Sequence, residues 1–171
     1  LVLFQFTFST ALFIIVLFSI LLVISWIDME RMIIPLNLIL IAVVVVVIGV
    51  ALQILPWQNS IYGSIVGPVS FGFVLGITYL ISKRQAMGYG DIQLSAVLGA
   101  WQGPLNILFI LFFASFLSLL VWVIISILFG FDRDRALPFA PFLVVSAVTI
   151  FVTEFYMDSS IFELFKWIGK L

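Results

Sequence analysis

The fold class predicted by this sequence is all-α: a polytopic membrane protein with about six transmembrane helices, and three observations predict it. At 65% hydrophobic residues, 9% charged and a mean hydropathy of +1.39, the chain has too little polar surface to cover a water-soluble globule of 171 residues. Several apolar runs reach the ~20 residues a helix needs to cross the hydrocarbon core. Those runs are continuous, whereas a transmembrane barrel would alternate in and out with a period of two.

The runs fall at 5–27, 36–55, 61–82, 88–103, 105–130 and 137–157, the fourth being the shortest. Between them lie "IIPLN", "LPWQNSIYG", "SKRQAMGYG", "WQGP" and "GFDRDRALP", all rich in turn-forming residues. The second run, "IAVVVVVIGVAL", is β-branched, yet in lipid an internally hydrogen-bonded helix satisfies its backbone where an isolated strand cannot. In the third, Gly63, Gly67, Gly72 and Gly76 suggest close packing against a neighbouring helix. The tail 159–171 places Ile161, Leu164, Phe165 and Ile168 at helical spacing and predicts a short helix lying in the interface. The whole chain reads as one membrane-embedded domain, 1–171. Its start at Leu1, without Met or a basic flank, leads us to expect that an N-terminal portion is missing.

Alternation of six helices puts 28–35, 83–90 and 131–137 on one side, with Arg31, Lys83, Arg84, Arg133 and Arg135. The loops opposite, around 56–60 and 103–104, hold no Lys or Arg, so the charged side is expected to be cytoplasmic. Lys166 and Lys170, in the tail, oppose this only slightly.

Two acidic residues, Asp28 and Asp91, sit at the ends of membrane helices on that side. Ionisable groups at membrane depth are costly and are functional candidates by default. The residues alone leave a structural reading open: Asp91 in "GYGDIQL" suits a first helical turn, and Asp28 in "SWIDMERMIIP" can pair with Arg31. Elimination narrows the chemistry. With no Cys and no His there is no thiol nucleophile, imidazole base, or thiolate or imidazole metal ligand. A Ser82–Lys83 dyad is disfavoured because neighbouring side chains on a helix end point apart.

Two close carboxylates do suffice for hydrolysis. Like charges resist ionising together and share one proton, so one member takes a proton from water while the other polarises a carbonyl. No metal or cofactor is needed. Gly88 and Gly90 before Asp91 are expected to bind substrate, allowing a sharp turn with positive φ and the close approach of an extended peptide.

The segment "GYGDIQLSAVLGAWQG" (88–103) resembles the G-x-G-D segment of the type IV prepilin peptidases, bacterial membrane enzymes that remove leader peptides from prepilins and pseudopilins. "SWIDMERMIIP" (25–35) is similar to the family's I-D-x-x-x-x-x-I-P segment, and "LPFAPFLVVSA" (137–147) to its P-F-G-P segment, in the same order. The resemblance implies that Asp28 and Asp91 are the catalytic aspartates, that Gly88 and Gly90 are the motif glycines, and that Pro35, Pro138 and Pro141 are architectural. It further implies a membrane aspartyl endopeptidase of the bacterial inner membrane, cleaving a prepilin or pseudopilin just after a glycine. The expected partners are that substrate and lipid, with no nucleic acid. Departures are Leu36 where Asp or Asn is common, Gln93 in place of Lys, and Ala140 in place of glycine. Many members carry a cysteine-rich zinc region and methylate the cleaved product; a chain without cysteine has no such zinc site, and methylation is not expected of these 171 residues.

A rival reading is a proton- or cation-coupled transporter using the same carboxylates, and a third is a membrane scaffold. The five tryptophans, Trp122 included, are expected to serve the interface or packing, and "FDRDRALP" (131–138) to be a self-paired loop in preference to a contact for a charged substrate segment.

Overall fold

The computed structural model describes residues 8–82, 88–132 and 136–168, and these form six α-helices. They are α1 (Phe8–Arg31), α2 (Leu36–Ala51), α3 (Trp57–Ser82), α4 (Tyr89–Gln102), α5 (Pro104–Phe129) and α6 (Ala140–Ile168). No strand occurs among the described residues. The protein is an all-α, multi-pass membrane protein. By length and hydropathy Phe8–Arg31, Trp57–Ile77 and Pro104–Phe129 are each sufficient to cross a bilayer, while the apolar stretches Leu36–Ala51 and Ala140–Glu154 are shorter.

Several boundaries differ from the sequence reading for local reasons. Helix α2 stops at Ala51 because Gln53 adopts a left-handed φ of 57° and the Ile54 N–H returns to the Gly49 carbonyl at 2.9 Å. That is a Schellman-type ending, closed by a residue other than glycine. Helix α3 starts at Trp57, earlier than expected, with the Pro56 carbonyl accepting from the Ser60 N–H. The separate interfacial helix expected over 159–171 is not found: α6 continues without interruption to Ile168, since no Gly or Pro after Pro141 interrupts it. Residues 169–171 lie outside the described residues, as do Lys83, Arg84, Arg133 and Arg135 of the orientation argument.

Helix α4 is the centre of the bundle and touches α2, α3, α5 and α6. Leu94, Val97, Leu98, Gly99 and Trp101 are buried along it. At 14 residues it extends only ~21 Å, and its neighbours rather than lipid enclose it. Its closest partner is α3, and glycines make that approach possible. A methyl group on Gly63 would run into the carbonyl of Gly99, and one on Gly99 into the carbonyl of Gly63. Of the four α3 glycines expected to pack, Gly63 and Gly67 do so; Gly72 and Gly76 face open space.

At the C-terminal end of α4, the Trp101 ring packs among Phe18 and Phe151 with centroids 5.5 and 5.2 Å away. Beside it, Gln102 Nε2 donates to the Ala147 carbonyl at 2.7 Å and Asn106 Nδ2 to Glu154 Oε2 at 2.9 Å. Outside this core, large apolar side chains such as Leu22, Leu40, Phe112 and Ile127 are exposed. Such a surface belongs to a protein solvated by lipid. Gly103, with φ 88°, then reverses the chain in a single residue, and Pro104 opens α5.

Candidate active site

Helix α1 persists one turn beyond the expected end, so Asp28 lies inside its last turn and faces the bundle with only 5% of its surface exposed. Its Oδ2 accepts a hydrogen bond from the Ala140 N–H at 3.0 Å, and the Phe139 N–H interacts with the same carboxylate. These are the amides that open α6, which have no partner within their own helix. Asp28 thus caps a helix far away in sequence, and the "PFAP" segment is the structure that delivers those amides. Among the described residues Asp28 forms no ion pair with Arg31, so the structural pairing considered from sequence is not formed.

Asp91 stands in the first turn of α4 with 8% exposure, and its Oδ2 accepts from the Gly88 N–H at 3.3 Å. The first-turn role anticipated for it is therefore real. It is also not the whole account, because Asp91 is near enough to Asp28 for the two carboxylates to interact through space. Both line one cleft of about 660 Å³.

The positive φ expected of the two glycines is not found. Gly88 has φ −81° and ψ 149°, an extended conformation open to any residue, and the positive-φ glycines among the described residues are Gly103 and Gly130. What Gly90 supplies is closeness: a Cβ there would lie 2.7 Å from the Cβ of Ile34. The non-helical segment Met32–Pro35, which leaves α1 through Met32 at a left-handed φ of 52°, thereby packs through Ile34 directly on the start of α4, and this sets the two carboxylate-bearing helix ends side by side. Gly88 and Gly90 both line the cleft.

The rest of the lining comes from Met32, Ile33 and Ile34, from Tyr89, and from Ala136 to Phe139. Sequence reasoning missed the remaining wall. Ser115, Ser118, Leu119 and Trp122 of α5 also face the cleft, a place for Trp122 that the expected interface or packing role does not include. The signal was present: in a helix otherwise almost wholly apolar, Ser115, Ser118 and Trp122 recur at helical spacing on one face. Among the described residues no cluster of three or more His, Cys, Asp or Glu side chains exists that would hold a metal ion. The cleft's chemistry is that of two buried carboxylates with apolar walls and a few hydroxyls, and among the described residues no cation lines it.

The comparisons with known proteins agree with the motifs. The chain is 35% identical over 95 residues to a prepilin leader peptidase/N-methyltransferase of Dichelobacter nodosus, an alignment covering 56% of this chain and 32% of the relative. It is 34% identical over 87 residues to the protein of the same description from Legionella pneumophila, covering 51% and 29%. Over 134 residues it is 26% identical to the one from Stutzerimonas stutzeri, covering 74% and 44%. The alignments thus span about a third of the length of the first of these relatives. No solved structure matches the chain. A model of the Type IV leader peptidase family matches residues 15–123, which include both Asp28 and Asp91, and the chain belongs to that family.

Proposed function

We propose that this chain is the catalytic membrane core of a prepilin leader peptidase, an aspartic endopeptidase that uses Asp28 and Asp91. The observation that carries the proposal is the burial of both carboxylates in one cleft, each oriented by a backbone amide at a helix N-terminus. One proton shared between them supplies an acid and a base together. The ionised carboxylate takes a proton from water as its oxygen adds to the scissile carbonyl, and the protonated carboxylate gives its proton to the carbonyl oxygen. Collapse of the resulting diol expels the amine, which leaves with a proton returned from the pair. No covalent intermediate and no metal enter this sequence.

The substrate is a prepilin, as the relatives' names suggest, or a pseudopilin, as the motif resemblance implies, and the cut falls near the cytoplasmic face of a bacterial inner membrane. The transporter reading calls for carboxylates facing water from both sides. All the lining residues belong to the end of the bundle where α1 ends and α4 and α6 begin, or to the middle of α5, which favours the peptidase.

The test is cleavage of a model prepilin by the purified chain in detergent or lipid, comparing wild type with Asp28→Asn and Asp91→Asn. Loss of cleavage in both variants with folding intact is the expected outcome. Cleavage that persists in either would remove the shared-proton mechanism, and a folded wild type inert toward several prepilins would remove the assignment.

A further inference from the structure

The α5 wall of the cleft is chemically unlike the rest of its helix, and its height relative to the carboxylates can be worked out. Asp91 stands about three turns before the end of α4, and Ser115 about three turns after the start of α5. Because Gly103 alone joins these helices and reverses the chain, Ser115 lies roughly level with Asp91. Trp122 is then ~10 Å nearer the C-terminal end of α5, and α5 continues about two further turns to Phe129. The carboxylates are thus recessed below that end of α5. A substrate reaching them from the membrane surface has to run along Trp122, Leu119, Ser118 and Ser115.

We infer that this face of α5 is a peptide-binding wall that selects the residues just before the scissile bond. A span of ~10 Å matches about three residues of extended chain. Ser118 offers a hydroxyl to the backbone of that chain and Ser115, whose hydroxyl donates to the Leu111 carbonyl at 2.8 Å, offers an acceptor oxygen, while Trp122 with Leu119 forms an apolar surface for one of its side chains. The indole is held for this purpose: Phe131 packs against it edge to face, with ring centroids 5.5 Å apart at 88°. Trp122 is therefore a specificity-determining residue. The inference rests on the peptidase reading and gives it a substrate preference.

The experiment uses the full chain and a model single-span prepilin whose third residue before the scissile bond is varied among Gly, Ala and Leu. Cleavage by wild type, Trp122→Phe and Trp122→Ala is measured as kcat/KM, with thermal unfolding as the check on folding. The wild type is expected to prefer Leu, and Trp122→Ala to lose roughly tenfold toward Leu while changing little toward Gly, the scale of one lost apolar contact. Trp122→Phe should retain most of the preference. In parallel, benzoylphenylalanine in place of Trp122 in the Asp28→Asn chain should photocrosslink to the leader within about three residues of the scissile bond.

An equal loss toward all three substrates, or crosslinks only to the segment after the bond, would overturn the inference while leaving the peptidase assignment standing. If the wild type cleaves none of them, both fall together.

Discussion

The backbone N–H of Ala140 donates to Oδ2 of Asp28 at 3.0 Å, joining the first residue of α6 to the last turn of α1 across 112 positions of sequence. The third motif of the chain is thereby tied to the first through a main-chain atom. A hydrogen bond from a backbone donor fixes the carboxylate while leaving the identity of residue 140 comparatively free, so Ala in place of the family's usual glycine is no obstacle here.

Removing that donor should separate orientation from folding. Ala140 is the first residue of α6, where proline is tolerated because its ring suits the helical φ and the helix itself does not use the N–H. Ala140→Pro is expected to lower kcat about tenfold or more, the scale of a lost hydrogen bond to a charged group, with KM little changed. Ala140→Gly should stay within about threefold of wild type, since it keeps the donor. Steady-state cleavage of a model prepilin reads both.

The two motif glycines should not be equivalent. A methyl at Gly90 meets the Cβ of Ile34 at 2.7 Å, too near to be relieved by rotating a side chain, whereas one at Gly88 is 3.6 Å from Asp91 Oδ2. Gly90→Ala is therefore expected to reduce cleavage severely by displacing the start of α4 from the Met32–Pro35 segment. Gly88→Ala should be the milder change. Parallel cleavage and unfolding assays would show the order, and equal effects would contradict the close-contact explanation.

Gly63 and Gly99 carry a stability prediction independent of catalysis. Each faces the other's carbonyl, so Gly63→Ala or Gly99→Ala must push α3 and α4 apart along their main contact. A loss of about 1–3 kcal/mol or more is expected, as for overpacked cores. Gly72→Ala, at a position with open space around the Cβ, serves as the control and should be neutral or slightly stabilising. Thermal unfolding in detergent distinguishes them.

Gln102 offers the converse case. Its Nε2 is bonded to the Ala147 carbonyl, but its Oε1 is buried without a partner. Replacing it with the similarly sized Leu removes one hydrogen bond and one unsatisfied oxygen together, so Gln102→Leu should change stability by less than about 1 kcal/mol. A large destabilisation would show that the Ala147 carbonyl depends on this amide.

Hydropathy by itself determined that the chain is a helical membrane protein, because lipid permits few ways to satisfy a backbone and continuous apolar runs single out the helix. Motif order and elimination also marked Asp28 and Asp91: with His and Cys missing, carboxylates at helix ends were the principal candidates for hydrolytic chemistry. Helix ends were legible only approximately, since the Gln53 turn and the uninterrupted α6 depend on local hydrogen bonding that composition does not reveal. Only the tertiary structure decided how the site is assembled. The Ala140–Asp28 bond, the seating of Ile34 on Gly90 and the entry of Trp122 into the cleft are contacts between segments remote in sequence. Periodicity along one helix states which residues share a face, but which neighbour covers that face is settled by how closely the backbones can approach, and here the Gly63–Gly99 contact sets that distance.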